Sequence, residues 1–123
     1  MSQSSKLKYD FGSVNANTIT IDKSSVTQAT NITTAVSVTA QVGIIITQSA
    51  ATAADSATQF TVNHPDVTAS SVVLANIMNY AGTNGLPSLY IDNVTTGSFV
   101  ATVQNHHASA ALNGAIKIAY FIL

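Results

Sequence analysis

The chain has 123 residues, the length of one domain, and only 7% of them are charged, against about 25% in an average globular protein. Four lysines and five aspartates give a net charge of −1, which provides no basic surface for nucleic acid or anionic lipid. The absence of cysteine excludes disulfides and thiolate metal sites. We therefore expect no nucleic acid, no membrane and no cofactor, while the nearly uncharged surface favours self-association.

The amino-terminal part is polar and rich in threonine, and residues 1–40 contain only two aromatic side chains, Tyr9 and Phe11. A stretch so poor in large apolar residues cannot build a core by itself. We interpret residues 1–40 as an extended N-terminal arm, or alternatively an outer hairpin, that lies on a partner. The alternating sequence TITID at 18–22 predicts a short strand within it. The arm residues expected to contact the partner are Lys6, Lys8, Tyr9, Phe11, Ile19 and Ile21.

From residue 35 onward, apolar and polar side chains alternate in short runs separated by Gly, Asn, Asp and Pro. This period of two, with many β-branched residues, predicts strands rather than helices. The predicted strands are 35–42, 43–48, 58–64, 70–80, 87–94, 97–105 and 114–123. The alanine-rich stretch 49–57 has no apolar stripe and predicts a loop. The spacing indicates an all-β protein, and we expect residues 41–123 to form an antiparallel jelly-roll-like β-sandwich.

Two Asn-Gly pairs mark connections between these strands. Asn-Gly favours positive φ at both central residues of a tight hairpin, so Asn84-Gly85 predicts a turn at 82–86. At Asn113-Gly114 a bulge and a tight entry into the last strand are equally compatible with the sequence.

The polar residues do not indicate catalysis. On paper Ser98, His106 and Asp92 could form a hydrolase triad, but no nucleophile elbow of the G-x-S-x-G type is present. His106 and His107 are adjacent, so on a strand they would point to opposite faces and could not bind one ion together. A ring of histidines around an oligomer axis stays open as an alternative. We expect no enzyme, no catalytic residue and no metal site.

The last strand is the most apolar part of the chain. Alternation places Ile116, Ile118, Tyr120 and Ile122 on one face and Lys117, Ala119, Phe121 and Leu123 on the other. An exposed Phe or Leu forgoes roughly 1.5–3 kcal/mol, so we expect a second copy of the chain to cover this strand. The predicted oligomer interface consists of Ile116, Ile118, Tyr120, Phe121, Ile122 and Leu123.

Three segments resemble small β-rich virion proteins of tailed bacteriophages and marine viruses. They are Thr47-Gln48-Ser49, the strand from Thr68 to Leu74, and the closing stretch from Asn105 to Ile118. The similarity covers about the last 80 residues. It implies a homotrimeric, jelly-roll-like virion component on the outside of a particle, and it carries over no catalytic residue.

The resemblance makes a capsid decoration (cement) protein the leading expectation. Such a homotrimer would bind the major capsid protein on the outer capsid surface of the virion and stabilise the lattice. The alternative is a receptor-binding tail-fibre or spike head that recognises a cell-surface glycan through side chains on distal loops. The candidate glycan-binding residues are Tyr80, Tyr90 and Asp92.

Overall fold

The computed structural model of the chain describes residues 17–18 and 21–123. These residues form eight β-strands and no helix, in agreement with the predicted all-β class. The strands are β1 (Lys23–Thr27), β2 (Val36–Ser37), β3 (Val42–Ile46), β4 (Ser56–Asn63), β5 (Val73–Tyr80), β6 (Pro87–Thr95), β7 (Ser98–Asn105) and β8 (Ile116–Ile122). No helix long and apolar enough to cross a membrane occurs in this part of the chain.

Strands β3 to β8 confirm six predicted strands, with small shifts at their ends, and 49–57 is a loop until Ser56 begins β4. The predicted strand 35–42 is instead the two-residue β2, and Val42 belongs to β3. Strand β1 was not predicted, because its sequence KSSVT has one apolar residue. Ile19 and Thr20 of the predicted strand 18–22 lie outside the described residues, and Ile21 and Asp22 precede β1.

The strands form two mixed sheets of four. Sheet A has the order β1-β3-β8-β5 and sheet B the order β2-β4-β7-β6. The expectation of wholly antiparallel sheets is wrong for two pairs, because β1–β3 and β2–β4 are parallel. A parallel pair needs a crossover connection. Here each crossover runs through the other sheet, since β2 lies between β1 and β3 along the chain and β3 lies between β2 and β4.

Almost every connection between consecutive strands changes sheet, and only β6 and β7 are consecutive neighbours within one sheet. Their tight turn has Gly97 at φ 86°. The predicted turn at 82–86 joins β5 of sheet A to β6 of sheet B, so it is not a hairpin. Gly85 has φ 87°, but Asn84 has no positive φ, so the predicted hairpin geometry at Asn84-Gly85 is wrong.

Both sheets contribute to one hydrophobic core, which is consistent with the expected sandwich. Strand β8 alternates between buried and more exposed residues, as its sequence predicts. Strands β4 and β7 pair in continuous antiparallel register from Ser56–Asn105 to Asn63–Ser98 and send alternate side chains inward. The core residues are Val36, Val38, Ile45, Ala50, Phe60, Val62, Val67, Phe99, Ala101, Val103, Leu112, Ile116, Ile118, Tyr120 and Ile122.

Part of the stretch interpreted as an arm belongs to the packed sheets. Strand β1 pairs with β3 over its whole length, and β2 pairs with β4. Val36 and Val38 are each only 4% exposed and lie in the core. The chain is therefore part of the two sheets from Lys23 onward rather than from residue 41. The expected arm contacts of Lys6, Lys8, Tyr9, Phe11 and Ile19 lie outside the described residues, and Ile21 is exposed.

Candidate interaction faces

The structure does not assemble the Ser–His–Asp set that the sequence allows on paper. Ser98 begins β7, whereas His106 follows the far end of that eight-residue strand, roughly 26 Å away at the usual rise per strand residue. The Nε2 atom of His106 lies 2.6 Å from Oγ of Ser88. Asp92 accepts a 2.7 Å hydrogen bond from the hydroxyl of Thr102. These side chains therefore serve separate local contacts.

The adjacent histidines also have separate surroundings. Exposed His106 contacts Ser88, whereas His107 turns back on its own loop. Its Nδ1 atom accepts hydrogen bonds from the backbone N–H groups of Ser109 and Ala110, at 3.1 and 2.9 Å. No group of three side chains suited to holding a metal ion occurs among the residues that the structure describes.

His64 is a structural residue that the sequence did not single out. It is 1% exposed, and its Nδ1 atom accepts a 3.0 Å hydrogen bond from the backbone N–H of Asp66. The hydrogen must then be on Nε2, which donates to the carbonyl oxygen of Ala40 at 3.0 Å. The same oxygen accepts a hydrogen bond from the hydroxyl of Tyr120. The ring therefore fixes the turn at Ala40 between β2 and β3.

Asn105, which opens the closing segment of the resemblance, joins three loops. It is fully buried, and its amide nitrogen lies 2.8–3.2 Å from three carbonyl oxygens, while its amide oxygen accepts two backbone N–H groups. The carbonyl partners are Thr52, Ala53 and Ala110, and the N–H partners are Leu86 and His107. A buried amide with all its groups bonded holds loops in one arrangement.

Asn113 and Gly114 act in the same way at the neighbouring loop. The Asn113 Oδ1 atom accepts the backbone N–H groups of Thr83 and Asn84, at 2.8 and 3.0 Å. A Cβ atom on Gly114 would lie 2.2 Å from the backbone nitrogen of Gly82, so the two loops touch through their main chains. Only glycine permits such an approach. The Asn-Gly pair is thus a loop contact.

The Thr-Gln-Ser segment is fixed by a second buried amide. Gln28, 1% exposed, donates to the carbonyl oxygens of Ile32 and Thr34 and accepts the backbone N–H of Gln48. The hydroxyl oxygen of Thr47 accepts the backbone N–H of Ile116. In the Thr47–Ser49 segment and the closing segment, the polar residues Thr47, Gln48, Asn105 and Asn113 therefore support the fold.

The outer surface of sheet A is apolar across three strands. Register places Phe121 of β8 between Val42 of β3 and Leu74 of β5, and places Ile44 beside Ala119 in the next row. We define the apolar face by the apolar outward side chains of these strands: Val42, Ile44, Ile46, Val72, Leu74, Ala119, Phe121 and Leu123. Two polar side chains also point outward at its border, because Asn76 lies beside Ala119 and Lys117 lies beside Ile46. Val72, Leu74 and Leu123 are more than half exposed.

A shallow groove of about 400 Å³ crosses the apolar face where the small Ala119 lies between larger side chains. Leu74 and Phe121 form part of its wall. The last residue is held in place, because Leu123 and Val72 exchange two backbone hydrogen bonds of 2.9 and 3.0 Å. The chain's final strand thus presents an ordered apolar surface.

The predicted oligomer interface is divided by the sheet. Four of its members, Ile116, Ile118, Tyr120 and Ile122, are at most 2% exposed and lie in the core of their own chain. They are therefore not accessible to a neighbour in this fold. Phe121 and Leu123 lie on the apolar face and remain available.

The outer surface of sheet B has the opposite character. Outward side chains of β4, β7 and β6 form what we call the polar face: Gln59, Thr61, Ser88, Tyr90, Asp92, Thr102 and Gln104. Half-buried Val100 interrupts it. Two separate groups of hydrogen bonds lie within it, and in the first Gln59 donates to Thr102, which donates to Asp92. The hydroxyl of Tyr90 donates to Oε1 of Gln104 at 3.2 Å.

The three candidate glycan-binding residues do not form one group. Tyr90 and Asp92 share the polar face, and both lie within strand β6, so the expectation of distal loops is wrong for them. Tyr80 ends β5 in the other sheet, where its hydroxyl donates to the carbonyl oxygen of Asn84. Strand alternation could have paired Tyr90 with Asp92, but not with Gln59 or Gln104, which come from other strands.

Comparisons of the chain with protein family models, with curated proteins and with solved structures gave no match.

Proposed function

We propose that the protein is a capsid decoration (cement) protein, a homotrimer that binds the outer surface of the major capsid lattice of a virion and stabilises it. The observation that carries the proposal is the apolar face of sheet A. Monomeric proteins seldom leave a contiguous apolar surface of this kind in water, and such surfaces mark contacts with other proteins.

The exposed fractions give the energetic scale. Val72, Leu74 and Leu123 are 52%, 56% and 63% exposed. Full burial of such a side chain is worth about 1.5–3 kcal/mol, so each would gain roughly 1 kcal/mol more under a partner. The half-buried Ile44 and Phe121 add to this surface. Repeated around a trimer, these contributions favour association and offset part of the translational and rotational freedom that the chains lose.

The contrast between the two outer faces also supports a protein that lies on a larger shell. The apolar face would pack against neighbouring copies and the capsid, and the polar face would meet water. Asp92 is the only charged residue of the polar face. The whole chain carries only nine charged residues, so its contacts with other proteins require few charges to be removed from water. Many weak contacts multiplied by trimer valency then give avidity for the lattice.

The interface can be tested with a charge placed on either face. Leu74→Lys places a lysine on the apolar face, and Gln59→Lys places the same charge at an exposed strand position on the polar face. Light scattering at micromolar protein should give three times the 12.7 kDa chain mass for the wild type and for Gln59→Lys. Leu74→Lys should give a smaller mass. A monomeric wild type, or a Leu74→Lys protein that stays trimeric, would contradict the proposed interface.

Capsid binding needs its own test, by co-sedimentation with capsids of the virus that encodes the protein. Deleting residues 1–16 leaves β1 to β8 in place, and we expect it to weaken capsid binding without changing the oligomer. Deleting residues 1–40 is unsuitable, because it removes β1, β2 and the buried Val36 and Val38. We expect the protein with that longer deletion to be unfolded, as measured by circular dichroism. Undiminished co-sedimentation of the shorter deletion would refute the arm contact.

A further inference from the structure

The polar face carries a set of side chains that the capsid proposal does not use. It lies on the opposite side of the core from the apolar face, so it stays accessible when sheet A is covered. Its centre is the row in which Gln59, Thr102 and Tyr90 lie side by side on β4, β7 and β6.

The first feature is the orientation of the Tyr90 ring. Tyr90 lies directly opposite Thr102, but its hydroxyl reaches Oε1 of Gln104, which is two residues further along β7. The side chain must therefore lean across the sheet from β6 to β7. Thr102 is only 3% exposed although it points outward, because its neighbours cover it, whereas Tyr90 is 46% exposed. One side of the aromatic ring is thus turned toward the sheet and the other toward solvent.

The second feature is a fixed set of hydrogen-bonding groups beside the ring. The Gln59 Nε2 atom donates to the Thr102 hydroxyl at 3.1 Å, and that hydroxyl donates to Oδ2 of Asp92 at 2.7 Å. These two hydrogen bonds fix the orientations of the Gln59 amide and the Asp92 carboxylate. Oε1 of Gln59 and Oδ1 of Asp92 accept no hydrogen bond from the described residues. They are acceptors available to an outside donor.

The third feature is the charge of the surface, which limits the chemistry of a ligand. Asp92 is its only charged group, and both described lysines outside it, Lys23 and Lys117, belong to sheet A. A phosphate, sulfate or carboxylate would find no cation here and would meet a carboxylate instead. A purely apolar ligand would leave the Gln59 and Asp92 oxygens without partners.

We propose that the polar face binds a neutral carbohydrate, with one sugar ring stacked on Tyr90 and its hydroxyl groups donating to Asp92 and Gln59. A sugar ring has a C–H face that packs on an aromatic ring, and its hydroxyl groups supply the donors that the two oxygens need. The strands hold these groups in register, so little side-chain ordering is required on binding.

The test starts with wild-type protein on a printed array that carries neutral, sialylated and sulfated glycans. We expect binding to neutral glycans, and the strongest of them is then titrated by calorimetry against variants. Tyr90→Ala should weaken binding about tenfold or more, because it removes the stacking surface. Tyr90→Phe keeps the ring and loses only the contact with Gln104, so it should bind within about threefold of the wild type.

Thr30→Ala, at an exposed position in the loop between β1 and β2 and on neither face, is the control and should bind like the wild type. All variants should keep the wild-type circular dichroism spectrum and oligomer mass, which separates loss of the site from loss of the fold or the trimer. The proposal is overturned if the array shows no neutral glycan, if only sialylated or sulfated glycans bind, or if Tyr90→Ala binds as tightly as the wild type.

Discussion

Replacing Asn105 by alanine should be among the most damaging single substitutions in the molecule. The side chain is fully buried and takes part in contacts with five backbone groups. Alanine would leave the backbone N–H groups of Leu86 and His107 without an acceptor, and each buried unpaired group costs about 1–3 kcal/mol of stability. It would also remove the donor from the carbonyl oxygens of Ala53 and Ala110 and leave a small cavity. We expect a loss of about 3–5 kcal/mol, a large fraction of a typical domain stability of 5–15 kcal/mol.

Urea unfolding followed by circular dichroism, at one fixed protein concentration, measures this loss. With a slope typical of small proteins, the midpoint should fall by about 2 M. Asn105→Asp provides a variant of equal size that keeps the acceptor contacts with Leu86 and His107 but turns a carboxylate oxygen toward three carbonyl groups. It should lose at least as much stability at neutral pH, which separates the missing hydrogen bonds from the missing volume.

Asn63→Ala, at an exposed position at the end of β4, is the control and should change stability by no more than about 0.5 kcal/mol. Amide hydrogen exchange adds a local measurement, since the N–H groups of Leu86 and His107 should exchange faster in Asn105→Ala. The reasoning fails if Asn105→Ala and Asn63→Ala unfold at the same urea concentration.

Two further predictions concern other buried contacts. Gly43→Ala would place a Cβ atom 2.4 Å from the carbonyl oxygen of Ser24 on the neighbouring strand. We therefore expect thermal unfolding to show that the free energy of unfolding falls by roughly 1–3 kcal/mol. An unchanged midpoint would show that β1 can move away at no cost. His64→Leu keeps a similar side-chain volume but removes the hydrogen bonds with Ala40 and Asp66. It should lower the free energy of unfolding, measured in urea, by about 1–3 kcal/mol. Wild-type stability of this variant would mean that the two hydrogen bonds make no net contribution.

The inward and outward faces of the strands could be predicted from the sequence alone. In a strand, successive side chains point to opposite sides whatever the partner strand is. The alternation in β8 therefore already separated buried Ile118 and Tyr120 from Phe121 and Leu123. The all-β class followed from the same local signal repeated along the chain.

Polar residues that act at a distance could not be identified from the sequence. Threonine, asparagine and glutamine are abundant, so nothing local distinguishes Asn105 or Gln28 from an exposed asparagine or glutamine. Their roles depend on carbonyl and N–H groups that lie up to 53 positions away, as for Asn105 and Thr52. The segments that resemble virion proteins contain Asn105 and Gln48, but the resemblance did not indicate which groups these residues bind.

Strand pairing was decided only by the tertiary structure. Strand β1 has the polar sequence of a loop, and it became a strand because the edge of β3 was available to pair with it. The period of two fixes which way a side chain points, but not which strand lies beside it. For that reason the sequence identified the apolar residues of the last strand, whereas only the register of three strands showed that Val42, Leu74 and Phe121 form one surface. Likewise, Tyr90 could be named as a candidate from the sequence. The hydrogen bonds that link Gln59, Thr102 and Asp92 could not, because they form only when three strands lie side by side.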